Sequence, residues 1–182
     1  RVITGPQDTE FTEEEIRKFF WYSAEITQEF DRMGCRLKRE EPIKHLGDGN
    51  IISDGIAFGS IQVPTNGQPI IMLADRQSTG GYTKIGTVIS VDLPKLVQSV
   101  PGCRVRFIRV GIHLAQNLYL RQLQEIKNLE KDLQSRVEKL RRDGATMSTS
   151  DREKQEKELI TKRDQFAEKA QKFEEDNRRR QS

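Results

Sequence analysis

The chain reads as a mainly β domain followed by an antiparallel, coiled-coil-like α-helical hairpin, and three observations predict that class. Up to about Leu118 the sequence is rich in glycine, proline, aromatic and β-branched residues, set in short runs between turn signals. Beyond it come Lys, Arg, Glu, Asp and Gln with sparse apolar residues that step by three and four. Charge divides the same way: 17 basic and 14 acidic residues lie from Arg121 onward, leaving 14 of each before it. Compositions this different ask for two units, placed at residues 1–115 and 116–182.

In the first unit, Arg1-Val2-Ile3 reads as a short strand stopped by Gly5-Pro6. Thr12-Glu13-Glu14-Glu15 is a capping box that opens a helix with Ile16, Phe19 and Phe20 on one face. Trp21 to Phe30 alternates as a strand, Asp31-Arg32-Met33-Gly34 turns the chain, and Arg36-Leu37 resumes extended structure. His45 to Asn50 is a loop, and Ile51-Ile52-Ser53 is a strand closed by Asp54-Gly55. Ser60–Val63 and Ile70–Leu73 flank the turn pair Asn66-Gly67. Gly80-Gly81 opens a further turn, with an apolar strand from Ile85 to Val91. Leu93–Val97 is a short helix that tolerates Pro94 near its start. Pro101-Gly102 leads into Arg104–Val110, which alternates polar and apolar. Many short strands at close intervals define a barrel or sandwich.

From His113 the helical period takes over, through Leu118, Ile126, Leu129, Leu133, Val137 and Leu140. Gly144 stops this helix, Ala145 to Thr149 forms a loop, and Ser150-Asp151-Arg152-Glu153 caps a second helix. That helix carries Leu159, Ile160, Phe166, Ala167, Ala170 and Phe173. The stripe is narrow, as in a coiled-coil seam rather than a domain core.

The composition also excludes function classes. The net charge of +3 is made of mixed signs, whereas nucleic-acid binding needs a one-signed basic surface, so no nucleic-acid partner is expected. No apolar run reaches the length of a membrane span, so no membrane insertion is expected. Cys35 and Cys103 lack metal-ligand spacing and read as free thiols of a reducing compartment, with a single disulfide as the alternative. His45 and His113 are the two histidines, with no triad spacing around either.

The tract Asp75-Arg76-Gln77-Ser78-Thr79-Gly80-Gly81-Tyr82 concentrates an acid, a base, an amide and two hydroxyls ahead of a double glycine. Glycines let a backbone approach a ligand closely. Spacing alone leaves two readings open: a ligand site with an Asp75–Arg76 pair, or a solvated polar turn.

Residues from about Arg1 to Phe107 resemble the C-terminal half of the KipA family, which is also known as the C-subunit of 5-oxoprolinase or the biotin-dependent carboxyltransferase A/B domain. The residues that carry the likeness are Gly5-Pro6-Gln7, Asp31-Arg32-Met33-Gly34, Ile52-Ser53-Asp54-Gly55-Ile56, Ile61-Gln62-Val63-Pro64, Gly67-Gln68-Pro69-Ile70, Ala74 through Tyr82, Asp92-Leu93-Pro94 and Pro101-Gly102. The resemblance implies a partial cyclophilin-like barrel, since the family carries another half ahead of these residues. It implies one component of an ATP-dependent enzyme that opens 5-oxoproline to glutamate with partner 5-oxoprolinase subunits, in the cytoplasm. Carried over residue by residue, it implies catalytic roles for Asp75, Arg76 and Gln77, and substrate-binding roles for Arg32, Gln62, Gly80, Gly81 and Tyr82. Asp75 would orient a lactam N–H or act as a base, Arg76 would grip a carboxylate, and Gly80 and Gly81 would offer backbone donors to an oxyanion. For Tyr82, core packing is the alternative. ATP is implied as a cofactor shared with the partner subunit, and no metal is.

Residues from about Leu123 to Arg180 resemble the arm of the Skp/OmpH periplasmic chaperones. The matching residues are Leu129-Glu130-Lys131-Asp132-Leu133-Gln134, Lys139-Leu140, Gly144-Ala145-Thr146-Met147, Arg163-Asp164-Gln165-Phe166, Lys169 through Glu174, and Asp176-Asn177-Arg178-Arg179-Arg180. This likeness implies holdase-type binding of unfolded outer-membrane protein clients, without catalysis and in the periplasm. The alternative is a generic solvated hairpin. The chain is thus expected to join a partial enzyme subunit to a chaperone-arm-like hairpin.

Overall fold

The computed structural model describes residues 1–143 and 149–179. The expectations placed on residues 144–148, on Arg180 and on the side chains of Ala170 and Phe173 lie outside the described residues. The chain divides into two compact units, Arg1–Gln116 and Asn117–Ser182.

The first unit is a curled, antiparallel eight-stranded sheet. Its strands are β1 (Val2–Thr4), β2 (Ala24–Phe30), β3 (Gly34–Lys38), β4 (Asn50–Gly55), β5 (Ser60–Val63), β6 (Ile70–Met72), β7 (Thr79–Val88) and β8 (Arg104–Val105). They run in the order β1-β7-β5-β6-β3-β2-β8, with β4 added on β7. One face buries Val2, Ile26, Leu37, Ile61, Ile71 and Ile85 around Phe19, which stacks on Phe107 with ring centroids 4.8 Å apart.

Helix α1 (Glu13–Trp21) starts where Thr12 Oγ1 accepts a hydrogen bond from Glu15 N at 3.1 Å, as the capping box predicts. Its end differs from expectation. Trp21 is helical and exposed, and the strand begins only at Ala24. The buried Arg39 accounts for this, because its guanidinium donates to the carbonyls of Lys18 (3.1 Å) and Tyr22 (3.4 Å) at the helix terminus.

The β2–β3 turn is set by Asp31, whose Oδ1 accepts from Met33 N (2.8 Å) and Gly34 N (3.0 Å). The β5–β6 turn holds Gly67 at φ 70°, a left-handed conformation that suits glycine. Gly80 and Gly81 do not form a turn. They lie inside β7, where Asp54 faces Gly80 and Gly55 faces Thr79 across the β4 ladder. The strand expected from Ile85 to Val91 ends at Val88, and a tight turn over Ser90–Asp92 leads into α2 (Leu93–Val97).

Arg104–Val110 is not one strand. Arg104 and Val105 pair with β2; beyond them Val2 N donates to Ile108 O (2.8 Å) and Val110 N donates to Val2 O (2.9 Å). One segment thereby satisfies backbone groups on both edges of the sheet, β2 and β1, and curls it.

The second unit is a hairpin of α3 (Ile112–Asp143), which begins within the first unit, and α4 (Thr149–Arg179). Leu133 and Val137 are its buried positions on α3, with Ile126 and Leu140 half-buried. Leu129 points off this seam and is exposed. On α4 the half-buried positions include Leu159, Ile160, Phe166 and Ala167. An Arg141–Glu156 ion pair joins the two helices. Helix α4 already includes Thr149, so Ser150 lies inside it rather than capping it.

Candidate functional site

The sequence tract from Asp75 to Tyr82 is split by the fold into an outer pair and an inner cradle. In the outer pair, Arg32 on the β2–β3 turn meets Asp75 just after β6. Arg32 Nε lies 2.6 Å from Asp75 Oδ2 and Nη2 lies 2.9 Å from Oδ1. The backbones join as well, with Asp75 N donating to Arg32 O at 2.8 Å. The hydrogen bonds from Arg32 pull the Asp75 carboxyl below its ordinary range, and the same contact raises the Arg32 guanidinium. The Asp75–Arg76 pairing is therefore corrected. Arg76 turns the other way: its Nε donates to Ile56 O (2.8 Å), its Nη1 donates to Leu73 O (3.2 Å), and its guanidinium lies 5.8 Å from the centroid of the Phe58 ring. Its donors serve the backbone of the β4–β5 loop at Ile56 and of the segment after β6 at Leu73.

The inner cradle lies on the sheet face opposite Ile61 and Val63, because side chains alternate along β5. Gln62 is 2% exposed, and its Nε2 has no hydrogen-bond partner among the described residues. Gly80 is its neighbour. A Cβ there would sit 2.9 Å from Gln62 Nε2, 3.0 Å from Gln77 Nε2 and 2.7 Å from Ile56 Cδ1. The missing side chain lets the Gln62 and Gln77 amides and the end of Ile56 close in over the bare Gly80 Cα, with Ile56 as an apolar wall and Gln77 exposed at the rim.

Beside Gln62 stands a cation that sequence reasoning missed. Lys84 is the Cα partner of Gln62 across β5–β7, so both side chains leave the sheet on one face. Lys84 is buried, and its Nζ donates to Asp54 Oδ2 (2.7 Å) and Gly55 O (3.0 Å). Gln7 ties in through Nε2 to Asp54 Oδ2 (3.2 Å), while its Oε1 accepts from Lys84 N (3.1 Å). The Lys84 hydrogen bond, then Gly55 N and Gln7, lower the Asp54 carboxyl below its ordinary range. The available signal is a lone lysine in the otherwise buried run Thr83-Lys84-Ile85, since lysines are almost never fully buried unless paired.

The remaining candidates sit at the edges. Gly81 is half-buried against Ile51 O of β4. Tyr82 faces Asn50 across β4–β7 and is 38% exposed, which corrects the core-packing alternative. His45 is held by structure, with Nε2 3.0 Å from both Val63 O and Thr83 Oγ1 and its ring against Phe11.

A curled antiparallel half-barrel of this topology defines a β domain of the carboxyltransferase type. The chain belongs to the family described as carboxyltransferase domain, subdomain A and B, whose sequence model matches residues 1–109. It is similar to the 5-oxoprolinase C-subunit of Haemophilus influenzae, 39% identical over 122 residues that make up 60% of this chain and 38% of that protein. Over its C-terminal helical part it is similar to the chaperone protein Skp, with the Photorhabdus laumondii protein 48% identical over 66 residues, 36% of this chain and 40% of that one. Among solved structures, urea amidolyase of K. lactis superposes with a TM-score of 0.60 at 26% identity, covering 70% of this chain and 8% of that one. The chain spans about two fifths of the length of the oxoprolinase relatives it matches (38% and 41%).

Proposed function

We propose that Arg1–Gln116 is the ligand-binding lobe of a 5-oxoprolinase component of the C-subunit type, taking a small cyclic amide into the cradle of Gln62, Gln77 and Gly80. The observation that carries this reading is the buried, unpartnered Nε2 of Gln62. A buried polar group without a partner costs about 1–3 kcal/mol, which a ligand carbonyl at that point would recover. Asp75, held ionised by Arg32 outside the cradle, is in this reading an acceptor for an amide N–H of the arriving ligand. Arg76, committed to two backbone carbonyls, supports the wall between Ile56 and Phe58. Gln77 is the donor at the mouth, and Gly81 and Tyr82 border the cradle through the β4–β7 ladder.

ATP does not fit the residues of this lobe. Gly80 and Gly81 lie in a strand, not in a loop ahead of a helix, so they form no nest of N–H groups for phosphates. In this reading the nucleotide belongs to partner oxoprolinase subunits, and the assembly works in the cytoplasm. No described helix is long and apolar enough to cross a membrane.

The test is calorimetric titration of 5-oxoproline into the chain and into Gly80→Ala. The new Cβ meets the ends of side chains rather than backbone, so the variant folds while the cradle is filled. Affinity falls at least about tenfold, the scale of one lost hydrogen-bonded contact. Equal affinity for the two proteins would sink the assignment.

A second reading applies to the hairpin, favoured by its narrow seam between exposed charged faces and by its likeness to Skp. In it, α3 and α4 hold unfolded outer-membrane protein clients without catalysis, in the periplasm. Suppression of aggregation of such a client should disappear when residues 123–182 are deleted; suppression that survives the deletion rules it out.

A further inference from the structure

The cradle has a chemical polarity that its amide-binding role leaves unexplained. The polar atoms nearest Gly80 are the amide nitrogens Gln62 Nε2 and Gln77 Nε2, and the Lys84 ammonium belongs to the strand partner of Gln62 on the same face. A pocket for a neutral amide needs no buried cation, and burying a lysine is costly unless it is paired. The partner Lys84 has is an unusual one. Asp54 sits near the end of β4, a strand attached to β7 alone and exposed at all but one of its positions, and its own side chain is 52% exposed against 3% for Lys84. The carboxylate therefore reaches inward to a fixed ammonium from a strand at the margin of the sheet.

Asp54 also faces Gly80 across the β4–β7 ladder, the residue whose bare Cα admits the Gln62 and Gln77 amides. Buried cation, unpartnered amide, missing Cβ and marginal carboxylate are thus linked in pairs: Lys84 with Gln62 and Asp54 with Gly80 by strand register, Lys84 with Asp54 by a hydrogen bond, and Gly80 with Gln62 by close approach. Lys84 has three N–H groups, and two acceptors are present among the described residues, Asp54 Oδ2 and Gly55 O.

We propose that Lys84, with Gln62, forms a carboxylate-binding subsite in which a ligand carboxylate takes the place that Asp54 occupies on the Lys84 ammonium. Asp54 is then an internal stand-in that keeps the buried charge satisfied while the site is empty, and β4 is the element that yields when the ligand enters. The subsite makes the lobe select small amides that carry a carboxylate over neutral amides of the same ring. This rests on the lactam-binding reading above and adds to it the residue that sets ligand charge.

The experiment compares three probes on the full chain: sodium 5-oxoproline, 2-pyrrolidinone (the same lactam ring without a carboxylate) and sodium acetate. Binding is read by calorimetry on the wild-type chain, Lys84→Met and Asp54→Asn. A charge-assisted bond predicts 5-oxoproline tighter than 2-pyrrolidinone by at least about tenfold in the wild type. The ratio falls toward one in Lys84→Met. It rises in Asp54→Asn, where the competing carboxylate is gone and the lysine remains. A ratio near one in the wild type, or one untouched by Lys84→Met, overturns the subsite. If 2-pyrrolidinone still binds in that case and loses affinity in Gly80→Ala, the lactam reading stands without it. If acetate binds in a Lys84-dependent way and neither lactam binds more tightly than acetate, the subsite stands and the lactam reading falls. Should no probe bind, both fall. Lys84→Met keeps the length of the side chain, and if it does not fold, Asp54→Asn decides alone: an unchanged ratio there overturns the proposal.

Discussion

Arg32 and Asp75, 43 positions apart, clasp each other through two side-chain hydrogen bonds of 2.6 and 2.9 Å and a backbone bond of 2.8 Å, with both side chains largely in water. Next to them Arg76 makes the opposite choice and commits its donors to Ile56 O and Leu73 O. Adjacent charged residues of one tract therefore serve two purposes. One pair presents charge at the surface, and one cation stitches loops together.

Exposed ion pairs contribute little to stability because water and salt screen them. Arg32→Ala is expected to leave the thermal midpoint in place while the Asp75 carboxyl titrates upward toward the ordinary range, since the guanidinium that lowers it is gone. Arg76→Ala is expected to cost about 1–3 kcal/mol in urea denaturation, because two carbonyls lose their donors. NMR titration of the Asp75 side chain and denaturation of both variants check the pair of outcomes.

The two cysteines should react at very different rates. Both are free thiols, Cys35 buried within the sheet and Cys103 exposed. Burial pushes the Cys35 thiol up to about 11, and the thiolate is the reactive form. A thiol reagent at pH 8 should label one cysteine of the native chain promptly and the second only after denaturant is added. Prompt labelling of both would contradict the packing of β3.

Acid stability should depend on Asp92. Hydrogen bonds from the Arg1 side chain, Nε at 2.9 Å and Nη2 at 2.7 Å, hold its carboxyl down to about 2 against an ordinary value of 3.8. A carboxyl lowered by folding stabilises the fold above its unfolded value and loses that contribution as pH falls through the folded value. The contribution of this group is therefore complete above about pH 4 and lost toward pH 2. Asp92→Asn should be less stable than wild type at pH 6 and converge with it near pH 2; curves that stay parallel across that window would refute the linkage.

In the hairpin, Val137 is 3% exposed on α3 amid exposed neighbours. Val137→Asp buries an unpaired carboxylate in a narrow seam, so the far-UV helix signal should fall while a protease-resistant fragment of about the size of Arg1–Gln116 persists. Simultaneous loss of helix signal and fragment would show that the two units do not fold separately.

Much of the first unit was legible because its signals are local. The Thr12 cap, the Asp31 turn, the Asn66-Gly67 turn and Pro94 near the start of α2 each act within a few residues, and all four stand where expected. The errors fall where distant partners decide. Trp21 stays helical because Arg39 gathers the end of α1. Gly80-Gly81 stays extended because β4 pairs there. Arg104–Val110 is divided between two sheet edges because β1 and β2 both need a neighbour. Leu129 fits a helical period yet misses the seam, which runs through Leu133 and Val137.

The candidate site divides in the same way. Arg32, Gln62, Gln77 and Gly80 were legible as residue types in motif-like tracts, whereas Lys84 falls between the tract that ends at Tyr82 and the strand expected from Ile85 and carries no motif of its own. Composition and periodicity by themselves determined that this chain holds a short-stranded β unit and a charged helical hairpin, because hydrophobic spacing and turn chemistry are properties of neighbours in the chain. Only the tertiary structure decided that Gln62 faces Lys84, that Asp54 faces Gly80, and that an amide is left buried without a partner. Those relations depend on strand register and on the irregularities in the β5–β7 and β4–β7 ladders, and register is selected by packing across the sheet rather than by any local pattern.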